Sequence, residues 1–106
     1  MSGEPHRQIV TVFRSRLREE YEPEYADMAA RMVEVARSMA GFVDIKSFVA
    51  EDGERVSIVI FDSIEAHRAW RDHPQHRRAQ RAGRERFYSE YHIAVCEQMA
   101  ERAFTA

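Results

Sequence analysis

The apolar positions of this chain alternate between two rhythms. The run Ile9-Val10-Thr11-Val12-Phe13 is β-branched and aromatic on both alternating faces, which predicts a strand over residues 8–15. Between residues 23 and 40 the spacing becomes three and four. Tyr25, Met28, Ala29, Met32, Val33, Ala36 and Met39 fall on one stripe, the pattern of an amphipathic helix. Pro23 suits its first turn, Glu24 and Asp27 its positive end, and Gly41 its C-terminal cap. Strand character returns at Phe42–Ala50 and Arg55–Phe61, on either side of an Asp52-Gly53 pair that signals a hairpin. A second helix is predicted after a cap at Asp62 or Ser63, with Asp62 and Glu65 at capping-box spacing. It carries Ile64, Ala69 and Trp70, breaks near His73, and restarts at Pro74, because an internal proline costs about 3 kcal/mol. In the restarted segment His76, Ala79, Gln80, Gly83 and Phe87 share a face, where the small Ala79 and Gly83 predict a close backbone approach. Tyr88–Glu97 is the fourth strand; residues 1–7 read as an irregular start and 98–106 as a tail with Met99 and Phe104.

The resulting order is βαββαβ, the split βαβ arrangement of a ferredoxin-like α+β domain with a four-stranded antiparallel sheet. One domain is expected over residues 1–106, with its core in 8–97. Two helices cover only one face of such a sheet, so the other face should be polar. It is not: Val56, Ile58 and Ile60 alternate with Ser57, Val59 and Phe61. Leaving such side chains in water forfeits roughly 1.5–3 kcal/mol each. A homodimer packed sheet to sheet is the expectation that follows.

Composition narrows the function classes. Sixteen basic against eighteen acidic residues give a net charge of -2, without the basic excess of a nucleic-acid-binding protein. Residues 64–92 hold seven arginines against four acidic groups, and Arg68, Arg71, Arg78 and Arg81 read as a solvated face. Cys96 is the only cysteine, so no internal disulfide and no cysteine-based metal site is expected. No apolar run near the start resembles a signal peptide and none approaches a membrane span, so a cytoplasmic protein without a membrane partner is expected.

Several short motifs, weak singly, are specific in their order. Ala40-Gly41-Phe42 follows the first helix, Asp52-Gly53 marks the hairpin, and Trp70 lies late in the second helix. His73-Pro74-x-His76 and Gly83-Arg84-Glu85-Arg86-Phe87-Tyr88 precede the last strand. Together, across nearly all of residues 8–97, the chain resembles the antibiotic biosynthesis monooxygenase (ABM) family. The resemblance implies a dimeric α+β barrel. The family includes cofactor-independent oxygenases of aromatic polyketides, haem-degrading enzymes and many members of unknown role, so the resemblance implies the fold more sharply than the reaction.

Oxygenation without metal or flavin needs an electron-rich substrate whose anion can reduce dioxygen. The protein then supplies a base, donors for the anion and a dry pocket. The pocket is expected between helices and sheet. Trp70, with a flat face and an N–H donor, and His76, a base near neutrality, are the expected catalytic pair. Gln80 and Arg84 are further donors, and Phe13, Met28 and Met32 complete the substrate-binding set. Each has a plainer reading: Trp70 as a core anchor, His76 as a solvated neighbour of Arg77 and Arg78, Met28, Met32 and Met39 as core. His73 reads as a helix cap, and His67 and His92 have no partners at metal-ligand spacing. No metal is expected.

The expected activity is therefore a cofactor-independent monooxygenase acting on a small aromatic, quinone-forming substrate. Haem binding and degradation is one alternative. That branch of the family carries an axial histidine ten residues after the tryptophan, where this chain has Gln80, and an asparagine on the first strand, near Phe13; His76, one turn earlier, could substitute. The other alternative is a non-catalytic dimeric module for a small apolar ligand.

Overall fold

A computed structural model describes residues 7–106, so most of the irregular start predicted for 1–7 lies outside the described residues. The elements run β1 (Ile9–Leu17), a 3-10 turn (Glu19–Tyr21), α1 (Glu22–Ser38), β2 (Phe42–Val49) and β3 (Arg55–Phe61). They continue through α2 (Ile64–Arg71), α3 (Pro74–Ala82), a π-helical turn (Gly83–Phe87) and β4 (Tyr88–Glu97). The four strands form one antiparallel sheet in the order β2-β3-β1-β4, the ferredoxin-like arrangement. The tail from Gln98 onward has no regular structure, and Met99 and Phe104 are exposed.

Local chemistry explains the boundaries. Gly41 follows α1 at φ +83, a left-handed conformation that glycine adopts without a Cβ penalty, and Gly53 takes φ +90 in the hairpin. The capping box does not form. Ser63, not Asp62, caps α2, and its Oγ accepts the Ala66 N–H at 3.1 Å. Helix α2 ends at Arg71, and α3 begins at Pro74 with His73 as its cap, Nδ1 accepting the Gln75 N–H at 3.1 Å. The predicted continuous run past Ala82 instead widens into the π turn, which buries Gly83 and Phe87.

Strand register assigns each residue to a face. Ile9, Thr11 and Phe13 oppose Phe61, Val59 and Ser57, and all face the helices. The core cluster of Ala36, Val59, Phe61 and Trp70 lies there, with Met39, Phe42 and Ile45 packed against it. Two bulges break the alternation. On β2, Phe42 pairs with Phe61 but Asp44 with Ile60, so Val43 is an extra residue; Phe42 and Ile45 thereby share the inner face. On β4, Tyr88 pairs with Leu17 but Glu90 with Arg16, so Ser89 is extra, and Tyr88 and Tyr91 both reach the inner side. The outer face presents Val10, Val12, Val56, Ile58 and Ile60, all half-buried with no helix over them. Around this apolar centre run the ion pairs Arg14–Glu54 at 2.9 Å, Arg16–Asp52 at 2.8 Å and Arg16–Glu90 at 3.1 Å.

Candidate active site

Between α1, α2, α3 and the inner sheet face lies a cavity of about 360 Å³. That is within the range of small-molecule sites. All seven residues expected at a site line it: Trp70, His76, Gln80, Arg84, Phe13, Met28 and Met32. The α1 stripe explains its apolar wall. Ala36 and Met39 pack into the core, whereas Tyr25, Met28, Ala29, Met32 and Val33 line the cavity and stay half-buried. The plainer reading of Met28 and Met32 as core is thus replaced by a place on the wall. Facing them, Phe13, Tyr88 and Tyr91 form an aromatic group with centroids 5.3–5.9 Å apart, and Tyr25 joins it edge-on to Tyr88 at 5.9 Å. Burial drives the Tyr88 phenol above its ordinary range, so it stays neutral.

The polar part of the wall is set by the proline break. Arg71 is in the last turn of α2, where backbone carbonyls have no partner within the helix. His76, in the first turns of α3, places Nδ1 3.2 Å from the Arg71 carbonyl oxygen. A carbonyl only accepts, so Nδ1 carries the proton and Nε2 keeps its lone pair. The Gln80 amide nitrogen is 3.4 Å from the same Nδ1, one helical turn on. Nδ1 cannot accept there while donating to Arg71; the shorter contact prevails, and the amide oxygen is the atom that suits the imidazole N–H. The imidazole lies on the Trp70 ring with centroids 4.0 Å apart and planes at 22°. Burial lowers the His76 pKa from its ordinary value, outweighing the hydrogen bond to the Arg71 carbonyl, so the ring is neutral at pH 7.

Other wall residues were not singled out from sequence. His67 is 5% exposed, and its Nδ1 has no hydrogen-bond partner among the described residues; burial and then Arg71 and Arg68 lower its pKa. Its distance from Trp70 and Arg71, three and four residues, is the helical spacing that could have revealed it. Thr11, two residues before Phe13 on the same strand face, also lines the cavity, and its hydroxyl is buried without a partner among the described residues. The Ser47 and Ser57 hydroxyls bond to each other at 2.7 Å on neighbouring strands. Arg71, expected on a solvated face, is exposed but also borders the cavity, held to the Asp72 carboxylate at 3.0 and 3.2 Å. Arg68, Arg78 and Arg81 are exposed as expected. Among the described residues no group of three or more histidine, cysteine, aspartate or glutamate side chains is arranged to hold a metal, and no helix is long and apolar enough to cross a membrane.

A sequence model described as antibiotic biosynthesis monooxygenase matches residues 8–82. The chain belongs to the ABM family. The uncharacterized protein YqjZ of Bacillus subtilis (strain 168) is 30% identical over 104 residues, covering 98% of this chain and 91% of its own. Among solved structures, Rv0793 from Mycobacterium tuberculosis superposes with a TM-score of 0.80 at 16% identity, over 91% of this chain and 99% of that one. SO0527 from Shewanella oneidensis gives 0.78 at 17% identity, over 88% and 92%. At such identities these structures establish the ABM fold alone. The family match stops at Ala82, so Arg84 and the β4 aromatics lie beyond it.

Proposed function

We propose that this ABM-family chain is a cofactor-independent monooxygenase acting on a small, electron-rich aromatic substrate. The observation that carries this reading is the His76–Trp70 stack on the wall of an otherwise apolar cavity. His76 is neutral, its proton is held on Nδ1 by the Arg71 carbonyl, and its Nε2 lone pair is available. A substrate hydroxyl gives its proton to that nitrogen. The anion passes one electron to dioxygen, the two radicals join in a C–O bond, and the imidazolium returns its proton to the resulting peroxide anion, giving a hydroperoxide. Loss of the carbon-bound proton with cleavage of the O–O bond releases water and leaves the carbonyl of a quinone. Dioxygen is the oxidant and the substrate the only reductant, so the electrons balance without a further redox group. The walls of Phe13, Met28 and Met32 exclude water, which strengthens each polar contact inside.

Haem fits these residues poorly. Gln80 is an amide where the haem-degrading branch has its axial histidine, and His76 lies flat on Trp70 with Nδ1 turned to a carbonyl.

A second copy packed on the outer sheet face completes the proposal. The half-buried Val10, Val12, Val56, Ile58 and Ile60 inside a border of ion pairs match the apolar centre and polar rim of a protein interface.

Oxygen uptake with an anthrone or naphthohydroquinone tests the activity. His76→Ala is expected to lower kcat about 10²–10⁴-fold, the usual contribution of a positioned base. An unchanged rate in that variant removes His76 from the mechanism. Binding of the aromatic compound without any uptake by the wild type favours the non-catalytic module instead.

A further inference from the structure

The cavity carries charge of one sign. No acidic residue among the described residues lines it, although the chain as a whole is slightly acidic. Its charged members are Arg71 and Arg84, with His67 and His76 beside them. The two arginines differ in commitment. Arg71 is bound by both oxygens of Asp72, whose carboxylate also takes Arg77 at 3.0 Å. Arg84 has no carboxylate within ion-pair distance among the described residues.

The backbone explains how Arg84 comes to stand there. It is the second residue of the π turn Gly83–Phe87, a geometry rare in proteins and concentrated at functional sites. Within that turn Gly83 and Phe87 point into the core, and Arg86 reaches Glu24 at 3.7 Å. Arg84 borders the cavity instead. The buried Trp70 indole points the same way in its chemistry. Its N–H donates, cannot accept, and has no acceptor among the described residues.

Resting on the oxygenase pocket proposed above, we infer that the ligand is an organic acid: a planar apolar ring system carrying a carboxylate or sulfonate that pairs with Arg84 at the rim. An apolar floor with one uncommitted guanidinium and no acidic wall residue among the described residues favours an anion over the neutral molecule of the same shape. The guanidinium fork, with its paired N–H donors, matches a planar carboxylate better than an ammonium does.

Trp70 is the only tryptophan in the chain and stands on the cavity wall, so energy transfer from it reports a probe bound nearby, and the Arg84 variants assign that probe to this site. The probes are anilinonaphthalene sulfonate and its uncharged parent, phenylnaphthylamine, which share one ring system. Each is titrated into the full-length protein while Trp70 emission is followed. The wild type is expected to bind the sulfonate about tenfold more tightly than the parent. Arg84→Gln should bring the two to parity, Arg84→Lys should keep part of the preference, and added salt should shrink it. Equal wild-type affinities, or a preference that survives in Arg84→Gln, overturns the acid-binding inference and leaves the pocket reading intact. If neither probe quenches Trp70, the pocket reading falls together with this one.

Discussion

Gly83→Ala probes the site through packing alone. Gly83 has φ -59 and ψ -50, ordinary helical angles, so the position does not require glycine for its backbone. What it requires is space: an added Cβ would sit 2.5 Å from Tyr88 Cε2 and 2.9 Å from Cδ2. The ring cannot swing freely aside, because Phe13, Tyr25 and Tyr91 all lie within 5.3–5.9 Å of its centroid. Two effects oppose each other. Replacing glycine by alanine at helical angles gains roughly 0.5–1 kcal/mol. Forcing a methyl into filled space costs about 1–3 kcal/mol. The net expectation is a loss of about 0–2.5 kcal/mol, centred near 1 kcal/mol, where it is equivalent to roughly 4–8 °C in Tm for a domain of this size. Urea titration followed by Trp70 fluorescence measures it, with the midpoint falling and the slope unchanged. Gly53→Ala is the control: its φ of +90 strains a side chain, but nothing lies within 4 Å of the new Cβ. Only the left-handed backbone penalty of about 1–2 kcal/mol should register there. A Gly83→Ala protein more stable than the wild type would show that the Tyr88 ring does not rest on Gly83 in solution, and the aromatic wall of the cavity would have to be redrawn.

Acidification should destabilise the fold through two histidines. Burial holds His67 and His76 below their ordinary pKa of 6.5, so between the lowered values and 6.5 the unfolded chain binds more protons than the folded one. Stability is therefore full above pH 6.5 and falls as pH drops through the folded values. Urea midpoints across pH 5 to 8 should show this slope, and replacing both residues with glutamine should flatten it. Ile58→Glu places a charge at the centre of the outer sheet face, opposite Val12 and Lys46. Sedimentation at micromolar concentration should find a dimer for the wild type and a monomer for the variant; a monomeric wild type removes the proposed interface.

The fold was legible because strand and helix periods are separated cleanly by glycine and proline. β3 and β4 span the runs Val56–Phe61 and Tyr88–Val95, rich in β-branched and aromatic residues, with one charged residue added at the start of β3 and Cys96-Glu97 at the end of β4, and the break before Pro74 follows from its missing N–H. The π turn was not legible: Gly83 to Phe87 has a helical pattern, and widening depends on Tyr88 filling the space over Gly83, a contact only the folded chain makes. The named site residues reach one cavity because Trp70, His76 and Gln80 follow helical spacing across a short break. Metal-ligand spacing, for which His67 has no partner, says nothing of its place on the cavity wall. Its relation to Trp70 and Arg71, on one helix face, was the informative one. Which methionines of the α1 stripe touch core and which touch cavity is decided by the sheet beneath them, and no periodicity records it.

The two bulges have a further consequence. A regular strand offers the cavity every second side chain, which leaves a polar or small residue between each pair of large ones. By carrying one surplus residue each, β2 and β4 turn two rings, Phe42 and Tyr88, toward the helices out of turn. Val43 and Ser89 are the residues the ladder skips, and this omission keeps Phe42 opposite Phe61 and Tyr88 opposite Leu17 on the inner side. Straightening the β4 bulge with Ser89 kept, so that Ser89 took the place opposite Leu17, would flip the Tyr88 phenol to the opposite side of the sheet and strip the cavity of one of its walls, with no atom of the pocket itself substituted.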